Sequence, residues 1–142
     1  MKRSASAAWQ GGPQDGKGWI STESGVLSET GYGFATRFEG EAGTNPEELI
    51  AAAHASCFAM ALSGRLAAAE LTAESIAVKA TVSLDKLAVG WTVTEIHLDV
   101  TAKIPGAATA KFMAAADAAK AGCPISRLLG AAAKITMDAR LA

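Results

Sequence analysis

Residues 43–64 read GTNPEELIAAAHASCFAMALSG, and the fold turns on them. Asn45 is placed to cap a helix, Pro46 suits its first turn, and Glu47 and Glu48 put negative charge where the helix dipole is positive. Leu49, Ala53, Cys57, Met60 and Gly64 then recur at helical spacing, while Ile50, Phe58 and Leu62 fill the opposite side. A helix apolar nearly all round belongs in a core or a subunit interface. Its middle carries Cys57, one of two cysteines.

Downstream, Ile76, Val78, Ala80, Val82 and Leu84 alternate with polar residues, as on a half-buried strand. Asp85 to Gly90 supplies a turn, and Trp91 to Ile104 forms the returning strand of a hairpin. Its apolar parity switches between Val93 and Ile96, which predicts a bulge near Thr94 and Glu95. His97 falls on the polar face of that strand and is expected to be solvated. Thr109 to Ala121 predicts a second long helix stopped by Gly122. Cys123 and Pro124 then open a short helical turn, and Ala133 to Leu141 alternates as a last strand.

Upstream the signals are weaker. Ala5 to Trp9 and Trp19 to Thr22 read as strands joined by the turn-rich GGPQDGKG. Gly11, Gly16 and Lys17 come close to a phosphate loop, but Gly18 replaces its hydroxyl residue and a strand follows instead of a helix, so nucleotide binding is not expected. Gly33 to Phe38 alternates like a short strand, leaving Arg37 at its edge. The whole is α+β with mainly antiparallel sheet, in a single domain spanning residues 1–142.

A formal net charge of −1 provides no basic excess for nucleic acid or an anionic membrane. The longest apolar run is interrupted by His54, Ser56 and Cys57, and no signal-peptide pattern follows Met1, so a cytoplasmic protein with no membrane span is expected. Two cysteines and two histidines without tight spacing give no metal signature.

Thiol chemistry needs a thiolate. Cys123 has a local source of stabilisation at the start of its helical turn, whereas Cys57, mid-helix among alanines, has none. A reactive Cys57 requires an imported cation, for which Arg37 is the candidate. His54 lies three residues before Cys57 on nearly the same face, so a Cys57–His54 hydrolase dyad stays open. Ten residues of helix between Glu47 and Cys57 rise about 15 Å. If both serve one site, the helix is broken or the carboxylate comes from a second chain. The all-round apolar helix points to the second chain, in a homodimer.

STESGVL at 21–27, YGFATRFEGEAGTNPEELIAAAHASCFAMALS at 32–63, TVSLDKL at 81–87 and KAGCPIS at 120–126 together resemble the OsmC/Ohr family of thiol-dependent hydroperoxide reductases, its OsmC branch above all. That resemblance implies an intertwined α+β homodimer with sheets wrapped around buried central helices. It implies that Cys57 is the peroxidatic thiolate and Cys123 the resolving thiol. It further implies that Arg37 activates Cys57 and Glu47 holds the guanidinium. No cofactor or metal is expected, only an organic hydroperoxide substrate and an external thiol reductant such as a lipoyl-type dithiol. A stress-induced binding or structural protein on the same fold, with vestigial thiols, is the alternative from another class.

Overall fold

The computed structural model describes all residues, 1–142. Two compact units divide the chain, Met1–Leu49 and Ile50–Ala142.

The first unit is a three-stranded antiparallel sheet of β1 (Ala5–Gln10), β2 (Lys17–Thr22) and β3 (Thr30–Gly33), followed by a short helix α1 (Phe34–Phe38). The β1–β2 loop closes on itself: Gly16 N–H donates to the Gly12 carbonyl at 2.9 Å, and a Cβ on Gly16 would collide with the Gly12 and Gln10 carbonyls. Glycine there serves a tight hairpin, with no amide cradle for phosphate. The Trp9 and Tyr32 rings, 5.5 Å apart, close over Gly18, the only buried residue of this unit.

The expected strand at Gly33 to Phe38 is overturned from Phe34 onward. Thr36 accepts a hydrogen bond from Gly33 N–H at 3.0 Å and donates its own hydroxyl to the Gly33 carbonyl at 3.1 Å. Local hydroxyl bonds of this kind compete with strand pairing and favour a helix start. The Phe34 and Phe38 rings then meet at 4.8 Å, one turn apart. Alternation over six residues could not distinguish that turn from a strand.

Helix α2 runs without a break over Pro46–Ala68. Its start is as expected: Asn45 Oδ1 accepts Glu48 N–H at 2.8 Å, and the Asn45 carbonyl accepts Leu49 N–H. The second unit continues with β4 (Ser75–Leu87), β5 (Gly90–Lys103), α3 (Thr109–Gly122), α4 (Pro124–Leu129) and β6 (Lys134–Leu141). β4 and β5 form the predicted hairpin; Ser83 pairs with Glu95 and Leu84 with Val93, so Thr94 is the bulged residue. β6 pairs with β5 in parallel, which the crossover through α3 and α4 allows. Ile135, Met137, Ala139 and Leu141 face the core as expected.

The spacing of α2 left its inward face open, and the structure chooses the side of Phe58 and Leu62. Phe58, Leu62 and Leu66 are buried, with His54 in line, and pack with Leu98, Val100 and Ala102 of β5 and Phe112, Ala116 and Ala119 of α3. Met60, on the stripe that includes Cys57, is 78% exposed. On a helix apolar all round, periodicity cannot choose the inward face, and the bulkiest side chains fill the space above the sheet. By length and composition α2 could cross a membrane, contrary to the sequence reading; its buried face is a core face of the second unit. His97 is only half exposed: Nδ1 lies 2.8 Å from Thr136 Oγ1 and Nε2 3.5 Å from Asp138.

Candidate functional site: two thiols and a held guanidinium

In the second unit, the crossover from β5 to β6 carries Cys123 against the middle of α2. Cys123 is fully buried at the junction of α3 and α4, where Pro124 at the first turn forces a new helix after Gly122. Cys57 is half-buried, and the two sulfur atoms lie 3.0 Å apart with neither in a disulfide. Residues 66 apart in sequence thus share a proton across one hydrogen bond.

Their environments differ. Burial pushes the Cys57 thiol up, its bond to Cys123 pushes it further, and only the Ile125 amide opposes the rise. Burial also raises Cys123, but it is outweighed by the bond to Cys57, the Ser126 amide and hydroxyl, and the Ile125 amide, so this thiol falls below its ordinary value. Within the chain Cys123 is therefore the thiol that gives up its proton more readily, as its place at a helix start led one to expect.

His54 does not address Cys57. It is completely buried, and its Nε2 lies 2.8 Å from Ser126 Oγ. Burial holds its imidazole below the usual histidine range. A hydrolase dyad needs a bond from nucleophile to base, and here that bond goes to a serine. Ser126 escaped the sequence reading, because nothing local in the turn PISRLL tells that its hydroxyl meets a histidine 72 residues away.

In the first unit, Arg37 on α1 meets Glu47 in the first turn of α2 with two parallel bonds: Nη2 to Oε1 at 2.6 Å and Nε to Oε2 at 3.1 Å. The Glu47 hydrogen bond raises the Arg37 pKa above its ordinary value, against a lesser lowering by burial. This fork fixes the plane of the guanidinium, which also lies 5.1 Å from the centre of the Phe38 ring. Asn45 Nδ2 donates to the Thr36 carbonyl at 3.2 Å and ties α1 to the start of α2. Beside Arg37 opens a cavity of about 90 Å³, lined by Trp9, Tyr32, Phe34, Phe38 and Pro46. The arrangement can present a fixed positive charge at the edge of an aromatic cleft.

The family model described as OsmC-like protein matches residues 38–138. The chain belongs to the OsmC family. It is 51% identical over 141 residues to Peroxiredoxin OsmC of Escherichia coli (strain K12), covering 99% of this chain and 97% of that protein, and equally to Peroxiredoxin OsmC of Shigella flexneri. Among solved structures it superposes with a TM-score of 0.76 on the organic hydroperoxide resistance protein OhrB of Bacillus subtilis, at 25% identity over 96% of this chain and 98% of that one. An OsmC-like protein of Mycoplasma pneumoniae superposes at 0.78 with 16% identity, over 99% and 97% of the two chains, and shares the fold. The α+β class read from the sequence is thus the OsmC fold.

Proposed function

We propose that this protein is a thiol-dependent peroxidase that reduces organic hydroperoxides, with Cys57 as the attacking sulfur and Cys123 as the resolving one. The observation that carries the reading is the 3.0 Å approach of the two free thiols. Membership of the OsmC family and the names of its relatives, a peroxiredoxin and an organic hydroperoxide resistance protein, support it.

In the reaction the Cys57 thiolate attacks the distal oxygen of R–O–O–H. The O–O bond breaks, an S–O bond forms, and the alkoxide leaves to take up a proton as R–OH. The sulfenic acid Cys57–S–OH then meets the Cys123 thiolate at hand; an S–S bond forms and hydroxide leaves, to be protonated as water. An external dithiol reduces the Cys57–Cys123 disulfide by exchange and is itself oxidised to a disulfide. No bound cofactor or metal enters this cycle. Such a cycle suits the reducing cytoplasm.

Cys57 needs a cation to become the attacking thiolate, since its own surroundings disfavour the charge. Arg37, planar and always charged, is the residue proposed for this, held by Glu47. Helix α2 is unbroken, so about 15 Å of axis separates Glu47 from Cys57 along it. A homodimer in which one subunit lends the Arg37–Glu47 pair to the thiols of the other removes that distance. Two features favour it: most of α2 stays outside the core, and the first unit buries no apolar side chain. The aromatic cleft beside Arg37 fits the hydrocarbon part of an organic hydroperoxide.

The order of attack is tested with Cys123→Ser. One equivalent of cumene hydroperoxide should leave a sulfenic acid on Cys57, seen by mass spectrometry after dimedone trapping. Full peroxidase turnover by Cys57→Ser would overturn the assignment. Sedimentation at micromolar concentration should return a dimer; a monomer with full activity refutes the shared site.

A further inference from the structure

His54 and Ser126 form a buried polar pair that the peroxidase cycle leaves without a task. His54 is 0% and Ser126 4% exposed, and both lie among the apolar side chains of the second unit. The imidazole uses one nitrogen, Nε2, 2.8 Å from Ser126 Oγ; Nδ1 is buried with no partner. That orphan nitrogen decides the tautomer. A buried N–H without an acceptor is rarer and costlier than a bare lone pair. The proton therefore resides on Nε2, and the imidazole donates to Ser126. With one lone pair of its oxygen occupied, the hydroxyl has its single proton free for another acceptor. The fully buried Cys123 sulfur, one helical turn earlier, is the acceptor this proton can serve, and the Ser126 hydroxyl acts to lower that thiol.

We propose that His54 is a positioning residue for Cys123: its Nε2–H orients the Ser126 hydroxyl so that the serine proton is offered to the Cys123 sulfur whenever that sulfur is an anion. The proposal rests on the cycle given above, in which Cys123 is anionic twice. It attacks the sulfenic acid as a thiolate, and it leaves as a thiolate when the disulfide is reduced. In that second step a reductant R–S⁻ forms an S–S bond to Cys57, the Cys57–Cys123 bond breaks, and its electron pair departs on Cys123. A hydrogen bond to the departing sulfur makes it the better leaving group. The relay therefore directs the reductant to Cys57 rather than to Cys123. Burial keeps the imidazole neutral throughout, so it acts as a fixed dipole and not as a proton donor to substrate.

The groups that act on Cys123 are Cys57 of α2 at 3.0 Å, the Ser126 and Ile125 amides with the Ser126 hydroxyl of α4, and behind that hydroxyl His54; the Arg65 guanidinium passes over the adjacent Gly122. Replacing Cys57 by Ser removes the shared proton and leaves one thiol to titrate by its ultraviolet thiolate absorbance. In that background Ser126→Ala and His54→Leu should each raise the half-titration point of Cys123 by about one pH unit, a roughly tenfold loss of thiolate at neutral pH. His54→Gln, whose amide N–H replaces the Nε2–H, should restore it. An unchanged titration in Ser126→Ala overturns the proposal; this variant removes one oxygen and decides the matter even where His54→Leu does not fold. A second readout uses the wild-type disulfide form and 2-mercaptoethanol, with the mixed disulfide trapped by alkylation. It should be found on Cys57 in the wild type and divided between both cysteines in Ser126→Ala; an even division in the wild type also overturns the proposal. The titration involves no hydroperoxide, so its failure is separable from that of the peroxidase reading, which falls instead if hydroperoxide yields no Cys57–Cys123 disulfide in the wild-type protein.

Discussion

The first unit carries Trp9, Trp19, Ile20, Tyr32, Phe34 and Phe38 on or beside a three-stranded sheet, yet Gly18 is its only buried residue. The second unit also has a three-stranded sheet, but it buries Phe58, Leu62, Leu66, Leu98, Val100 and Phe112 completely or nearly so. The difference lies in what covers each sheet. In the second, α2 and α3 lay apolar faces against β5, and the burial is non-directional hydrophobic stabilisation of the ordinary kind. In the first, α1 is five residues long and cannot cover a sheet face. A small sheet with one uncovered apolar face is marginal by itself. The two units also hold different chemistry. The exposed one keeps a guanidinium, which must stay hydrated or paired, and the buried one keeps thiols, which tolerate apolar company.

That contrast can be broken by mutation, most severely at Phe58. Phe58→Ala removes a fully buried ring and should cost about 3–5 kcal/mol in urea unfolding. Trp9→Ala, at a ring 40% exposed, should cost about 1 kcal/mol or less in a dilute monomer. Equal losses would show that the first unit has a core of its own. A larger Trp9 loss at high protein concentration than at low would sharpen the case for a second copy covering that sheet.

Arg37→Met comes next. Its ion pair with Glu47 is partly solvated, so stability should change by about 1 kcal/mol or less. The proposed activating charge would be gone, and kcat/KM for an organic hydroperoxide should fall about 100-fold, by analogy with the removal of one transition-state donor. Steady-state turnover beside a thermal melt separates the two. A large stability loss with normal turnover would make the fork a structural device only.

The smallest effect concerns acid. The folded-state pKa of His54 lies below its unfolded value near 6.5, so the unfolded chain binds the extra proton. Stability from this residue is full above about pH 6.5 and declines as pH falls below it. Urea midpoints at about pH 7.5 and pH 5.5 should differ more in the wild type than in His54→Gln, by about 1 kcal/mol. Identical differences in both proteins would assign the acid sensitivity to other groups.

How much of this was legible in the residues follows the range of the forces involved. The start of α2 was readable because Asn45, Pro46 and the two glutamates act on amides within one turn. The bulge at Thr94 was readable because strand parity is a local count. Gly33 to Phe38 was misread because six alternating residues fit a strand or a helical turn, and the decision fell to the Thr36 hydroxyl. The inward face of α2 and the Ser126 partner of His54 had no local signature at all, since each depends on what the crossover through α3 and α4 brings alongside.

By itself the amino-acid order determined the helices and strands outside Gly33 to Phe38, the place of the β4–β5 hairpin, and two cysteines in unlike settings, because caps, turns and side-chain alternation act over a few bonds. Only the tertiary structure decided that β6 runs parallel to β5, that Phe58 and not Met60 faces the sheet, and that the two sulfurs stand 3.0 Å apart. Those outcomes are set by packing between elements remote along the chain, where excluded volume and buried area choose among arrangements that every local signal permits.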